Sequence, residues 1–353
     1  MRVGRNANFP QVAPRRTSRR RNSPLSKFVR RRPSAGIRAL LKKVPQAVLE
    51  RFYGCGAPLP LGIDGLQVLD LGSGSGRDSY VCAALVGQTG CVTGVDMTDE
   101  QLQVAQTHSE EYCRSLGYAE PNLHFIRGRI EDLQAAGISD SSVNLVISNC
   151  VINLSPDKPA VLREVYRVLK PGGELYFSDV YSDRRIPAAV QKHEVLWGEC
   201  IAGAMYLEDF RRAALSAGFA DVRMLAPPAP ITVDDPALQA VVGNARFSSI
   251  TFRLFKLPEL LESICEDYGQ IAIYKGTITG HEHLYILDDH HVFQTNKPEA
   301  VCGNTAAMVG DSWLSRHFQV LGDRSTHYGA FVCGPASAQV PPVAGNASAA
   351  CCG

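Results

Sequence analysis

Gly72, Gly74 and Gly76 stand at every second position directly after the apolar run Val68-Leu-Asp-Leu71. Glycines at such a turn let the backbone bend tightly and come close to a ligand, because no Cβ intervenes. Asp96 ends a second run, Cys91-Val-Thr-Gly-Val-Asp96, 20 residues past Gly76. An acid at that distance can accept hydrogen bonds from both hydroxyls of a ribose. A lone G-x-G-x-G is weak evidence, but glycine turn, helix and ribose acid in that order point to a nucleoside site. A dinucleotide fold would carry G-x-G-x-x-G. Here the third glycine comes one position sooner and an acid, Asp70, precedes the loop, which suits a cofactor with a positive charge and no phosphate.

Cysteines supply a second kind of chemistry. Cys150 follows Val146-Ile-Ser-Asn149 at the end of a strand, where open parallel sheets hold their ligands. Cys200 lies in Leu196-Trp-Gly-Glu-Cys200 and can return over the same face. Cys55 sits on a Gly/Pro loop, Tyr53-Gly-Cys55-Gly-Ala-Pro-Leu-Pro60, ahead of the first strand. Thiolates are soft ligands. Spacing alone leaves each of the three open between a ligand and a plain buried thiol.

The elements that must position these residues alternate. Strands are predicted near 67–71, 91–95, 123–127, 143–149 and 173–178, with helices near 77–86, 99–116 and 157–169. Strands separated by helices imply a parallel sheet with right-handed crossovers. Ile37 to Tyr53, Pro187 to Cys200 and Tyr206 to Ala217 carry helical patterns, and Asp221 to Ala226 reads as a further strand. Arg246 to Lys256 alternates and fits a long antiparallel strand toward the sheet edge. Short strands (Gln270–Ile278, His283–Leu287) and a helix near 304–317 follow. The expected fold class is therefore α/β, a doubly wound, mostly parallel sheet with a small α+β C-terminal domain. The expected divisions are 1–36, 37–256, 257–333 and 334–353, the two ends being disordered.

Composition bounds the reading. Over 353 residues the net charge is +1, which gives no global reason to expect nucleic acid. Residues 1–43 hold many arginines and no acid, so the remainder is acidic overall. The Arg/Ser/Pro-rich start is open between an organellar transit peptide and a basic tail or mis-assigned start. No apolar run is long enough to span a bilayer and no signal peptide is evident. Eleven cysteines in a chain of this size, without paired CxxC units, read as thiols in a reducing compartment rather than a disulfide scaffold or a zinc site.

Ile126-Arg-Gly-Arg-Ile130-Glu131 and Val168-Leu-Lys-Pro-Gly-Gly-Glu-Leu-Tyr-Phe177, with the glycine turn and Asp96, resemble class I methyltransferases, which bind S-adenosylmethionine. Tyr53-Gly-Cys-Gly56, Ser148-Asn-Cys-Val-Ile-Asn-Leu154, Gly173-Glu-Leu-Tyr-Phe-Ser-Asp-Val-Tyr181 and Trp197-Gly-Glu-Cys200 resemble arsenite methyltransferases within that fold. The likeness runs from about residue 40 to 330. It implies that Cys55, Cys150 and Cys200 hold trivalent arsenic, as arsenite or methylarsenite. It also implies that Asp70, Gly72, Ser73, Gly74, Gly76, Asp96, Met97, Ile130, Glu131 and Asn149 serve the cofactor. Thioredoxin or glutathione would reset oxidised cysteines, in a cytoplasmic monomer with neither nucleic acid nor membrane as partner. The family ordinarily has a further cysteine well upstream, and residues 1–54 contain none; its tyrosine-bearing N-terminal helix is also unrecognisable here. Cys351-Cys352 resembles the vicinal cysteine tail of many members, or is an ordinary flexible end. Two other readings stand beside this one, a quinone-type C- or O-methyltransferase and a thiol protein that binds metalloid without turnover. His281, His283, His290 and His291 read as solvated strand-edge residues. Asp179 and Glu199 are open between orienting a thiol or water and lying on a surface loop.

Overall fold

The computed structural model describes residues 26–28 and 34–333. The rest of the basic start and the 334–353 tail, with Cys351 and Cys352, lie outside them.

Ten strands form the main sheet: β1 (Ser26–Phe28), β2 (Gln67–Leu71), β3 (Cys91–Asp96), β4 (Leu123–Arg127), β5 (Val143–Asn149), β6 (Leu169–Ser182), β7 (Met205–Tyr206), β8 (Val222–Met224), β9 (Ala229–Val233) and β10 (Phe247–Phe255). Their order is β1-β9-β10-β6-β5-β2-β3-β4, with β7 beside β6 and β8 beside β10. From β4 to β6 all pairings are parallel; β10 runs antiparallel to β6 over its whole length. β2 has β3 on one side and β5 on the other. The winding reverses between β2 and β5, and ligands in such sheets lodge at that point, outside the carboxyl ends. The α/β reading and the parallel order are as expected.

Helices cover both faces. α1 (Ala35–Leu41), α2 (Gln46–Glu50), α3 (Arg77–Val86), α4 (Asp99–Thr107) and α5 (Ser109–Ser115) lie on one side, and α6 (Lys158–Val168) packs with the Leu207–Ala217 helix on the other. Several expected boundaries shift for local reasons. Pro45 divides the Ile37–Tyr53 pattern into α1 and α2, because proline lacks the N–H that would continue the helix. β6 is 14 residues long, running from the Lys-Pro-Gly-Gly turn through to Ser182. Within the basic start, Ser26–Phe28 pairs with Ile231–Val233, a strand the composition does not foretell.

The C-terminal segment builds three small antiparallel sheets and the helix Gly303–Gly310. It shares one apolar cluster with the main-sheet part: Val48, Tyr80 and Ile147 belong with Tyr274, Phe293 and Phe318. A buried polar network crosses the same boundary. Arg253 Nε donates to Glu174 at 2.6 Å, and Arg253 Nη1 donates to the Tyr285 hydroxyl at 2.9 Å. Trp313 Nε1 donates to the same carboxylate at 2.8 Å. Charges this deep persist only when paired.

Candidate active site

The glycine turn leaves the carboxyl end of β2. Gly74 has φ +55 and nothing stands within 4 Å of where its Cβ would be, so the backbone is strained for any other residue and faces open space. At Gly72 (φ +61) a Cβ would come 2.3 Å from Val151, which packs the turn against the segment after β5. Asp96, at the end of β3, accepts the Gly74 N–H through Oδ2 and the Thr98 N–H through Oδ1, both at 2.8 Å. A carboxylate has about four lone-pair sites, so each oxygen keeps capacity for a hydroxyl. Ser73 Oγ is buried and, among the described residues, has no hydrogen-bond partner. Met97 stands 64% exposed beside Asp96, while Ile130 is buried. Open cradle, spare acceptors and an orphaned hydroxyl fit a nucleoside cofactor with a polar tail.

Asp70 lies beneath the loop rather than on its surface. It is almost wholly buried and accepts the Ser79 hydroxyl. Burial, with Asp78 close by, pushes its carboxyl up to about 8. Glu131 accepts the Ser155 hydroxyl at 2.6 Å, which ties the loop after β4 to the start of α6.

The cysteines meet where β5 ends. Cys55 and Cys150 form a disulfide with Cα atoms 5.8 Å apart. The expectation that every cysteine is a free thiol is corrected at this pair, because loop and strand end converge to within bridging distance. Cys200, fully buried, donates its thiol hydrogen to the Cys150 carbonyl at 3.4 Å. All three belong to one apolar cluster with Val180, Leu196 and Ile201. Cys150 and Cys200 both have φ +59, a left-handed conformation uncommon outside glycine and often found at functional turns. Burial pushes the Cys200 thiol well up, with Asp179 and Glu199 adding to the effect.

Sequence reasoning missed Asp78 and Asn153, which help organise this cluster, and gave Asn149 to the cofactor rather than to the cysteine loop. The Asn149 carboxamide is turned onto the Cys55 loop: Oδ1 accepts the N–H of both Cys55 and Gly56 at 3.1 Å, and Nδ2 donates to Gly56 O and to Asp78. Asp78, in the first turn of α3, therefore couples the glycine turn to the cysteine loop; its place just after Gly76-Arg77 was the available signal. Asn153 donates its N–H to Asp179 at 2.9 Å. Asp179 is itself 1% exposed, so the surface-loop alternative is corrected. One of its oxygens and the sulfurs of Cys55 and Cys150 all lie within 4.8 Å of one another. Burial pushes this carboxyl up to about 7, against the pull of the Val180 and Asn153 N–H groups and of Lys158. Cys82, by contrast, is sealed in α3 within the apolar core.

Comparison with known proteins fixes the family. Residues 63–226 match the methyltransferase domain family and residues 268–341 match the arsenite methyltransferase C-terminal domain family. An arsenite methyltransferase of Aquipseudomonas alcaligenes is 51% identical, with 90% of this chain and 91% of that protein aligned. The chain belongs to the arsenite methyltransferase family. The mouse arsenite methyltransferase is 47% identical over 80% of this chain and 74% of its own. The crystal structure of an arsenic(III) S-adenosylmethionine methyltransferase from Chlamydomonas reinhardtii superposes with a TM-score of 0.83 at 59% identity, covering 85% of this chain and 100% of that one. No helix among the described residues is long and apolar enough to cross a membrane.

Proposed function

We propose that trivalent arsenic is held by Cys55, Cys150 and Cys200 and methylated there. The chain is an S-adenosylmethionine-dependent arsenite methyltransferase. The observation that carries the residue assignment is the meeting of these cysteines at the carboxyl end of β5, beside the glycine turn. A quinone-type methyltransferase would have no use for three converging sulfurs.

S-adenosylmethionine supplies an electrophilic methyl group on a positively charged sulfur. Asp96 holds the ribose, Gly72, Ser73, Gly74 and Gly76 shape the bed of the methionine half, and Asp70 braces the turn from beneath through the Ser79 hydroxyl. Met97, Ile130 and Glu131 flank the adenine, and Asn149 joins the cofactor bed to the Cys55 loop. This chain's part in the transfer is chiefly alignment, which can lower a barrier by several kcal/mol. Loading the substrate is a proton problem: each As–S bond formed takes one thiol proton away with the departing hydroxide as water. Asp179, poised near neutrality beside the sulfurs, receives and returns that proton.

Three thiolates leave the arsenic lone pair free to make the new As–C bond. That step oxidises arsenic by two electrons, and two thiols can return them by closing a disulfide. The Cys55–Cys150 bridge has the form such a cycle leaves behind. Thioredoxin, or two glutathione molecules, reopens it, exchanging one disulfide for another. A reducing compartment, the cytoplasm or an organelle, suits that reductant, and because one chain supplies every ligand a monomer suffices. Residues 37–256 perform the transfer and 257–333 buttress them. The test is methyl transfer to arsenite with the products separated by speciation. Methylarsenicals are expected from the reduced chain and none from Cys150→Ser.

A further inference from the structure

Outside the methyl-transfer site, three more cysteines bring their sulfurs together. Cys265, Cys302 and Cys333 lie within 4.8 Å of one another, and none is in a disulfide. Three separate pieces of the C-terminal segment build the cluster. Glu266–Asp267 pairs with Gly329–Ala330, and just beyond this ladder the Phe331 N–H donates to the Cys265 carbonyl at 2.8 Å. The chain then turns, with the Cys333 N–H on the Phe331 carbonyl at 3.0 Å, which returns Cys333 toward Cys265. Cys302 caps the helix Gly303–Gly310, its sulfur accepting the Thr305 N–H at 3.4 Å.

Charge and access favour an occupant. Arg223, itself paired with Asp221 and Asp288, reaches the Cys302 sulfur at 4.0 Å. A hydrogen bond from Cys265, then those from Thr305, and the Arg223 charge hold the Cys302 thiol below its ordinary range against the effect of burial. Cys302 is buried, Cys265 half-buried and Cys333 exposed, so the cluster opens to solvent on one side. The ligand set is sulfur alone, with neither His nor carboxylate in the group. A structural zinc site would need a fourth ligand; three soft donors suit a trivalent, thiophilic ion.

We propose that Cys265, Cys302 and Cys333 form a second binding site for a trivalent arsenical, distinct from the site of methyl transfer. Binding arsenous acid there makes three As–S bonds and breaks three As–OH bonds. Each thiol proton leaves with one hydroxide as water, and nothing is oxidised or reduced. The ligand class rests on the proposed function, but the test reads binding rather than turnover, so the two can fail separately.

The experiment uses the full chain carrying Cys150→Ser and Cys200→Ser, reduced with a phosphine and dialysed against arsenite. Arsenic is counted by mass spectrometry and its neighbours are read by X-ray absorption. One arsenic per chain in a three-sulfur environment is expected. Adding Cys333→Ser, at an exposed position, should weaken binding by about tenfold or more and remove one sulfur from the spectrum. Adding Cys351→Ser with Cys352→Ser instead should change neither. Unchanged affinity after Cys333→Ser, loss of arsenic on replacing Cys351 and Cys352, or occupation by added zinc that blocks arsenite would each overturn the proposal.

Discussion

Asn149 and Cys55 are 94 positions apart, and the Asn149 carboxamide oxygen accepts the Cys55 backbone N–H at 3.1 Å. One side chain at the end of β5 thus fixes where the upstream cysteine loop sits. Replacing it by alanine leaves the Cys55 and Gly56 N–H groups and one Asp78 oxygen without their partner, at about 1–3 kcal/mol for each buried group. Asn149→Ala should slow methylation of arsenite by about tenfold or more, while the chain stays folded by circular dichroism. An unchanged rate in a product-speciation assay would show that the loop is held by something else.

Cys55 lies on a loop, Cys150 directly after the central strand β5 and Cys200 just past the helix Glu194–Gly198, so the three ligands should not contribute equally. Monomethylarsenite already carries one carbon and needs only two thiolates. In a single turnover, before any disulfide is needed to return electrons, Cys55→Ser should therefore slow methyl transfer to arsenite far more than to monomethylarsenite. High glutathione should shrink the deficit with arsenite by supplying the third sulfur. Equal loss of both steps, measured with each arsenical as starting substrate, would contradict this division.

The parallel core was legible in the sequence because strands buried on both faces are continuous apolar runs, and Asp70 and Asp96 punctuate their ends. Glycine spacing located the turn after β2, because a residue without Cβ takes φ +55 with the least strain. What stayed hidden was contact between distant positions. Nothing in the spacing of Cys265, Cys302 and Cys333 says that they meet, and nothing at Asn149 says that its amide turns toward residue 55 rather than the cofactor. The Cys55–Cys150 bridge was hidden likewise, since a 95-residue separation carries no pairing rule.

Asp70 and Asp179 make the stability of the empty enzyme depend on pH. Their carboxyls titrate near 8 and 7 in the fold and near 4 in an unfolded chain. The folded state therefore binds protons more tightly, so their stabilisation is complete below about pH 4 and is lost as pH rises through 7 to 8. Asp183, held down at about 2 by Arg184, completes its change below that window. Relative to Asp70→Asn, whose carboxamide does not titrate, the wild-type chain should lose a few degrees of melting temperature between pH 5 and 8.5. Parallel Tm profiles for the two chains would refute the assignment.

Arg253 joins β10 to the C-terminal segment through the Tyr285 hydroxyl and the Leu287 carbonyl, and pairs with Glu174 of β6. Removing one member of a buried ion pair leaves the other charge uncompensated, at about 3–5 kcal/mol. Arg253→Met should lower the urea midpoint sharply, and Arg253→Met with Glu174→Gln should recover part of the loss. If the double variant is as unstable as the two single losses added together, the pair is not coupled.

Asp96 should govern cofactor affinity without touching arsenic. Asp96→Ala removes the acceptor for two backbone N–H groups and, as proposed, for the ribose. Calorimetry should show S-adenosylmethionine bound about tenfold more weakly or worse, with arsenite binding to the reduced chain unchanged. Equal cofactor affinity would remove Asp96 from the site.

The most direct test follows one methyl group in a single turnover. Reduced enzyme is loaded with arsenite, mixed with methyl-labelled S-adenosylmethionine and quenched, and the label on arsenic is counted. The wild-type chain should place label on arsenic, and Cys150→Ser should place none while binding the cofactor as tightly as before. Labelled methylarsenical formed by Cys150→Ser at the wild-type rate would contradict methyl transfer to cysteine-held arsenic at this site.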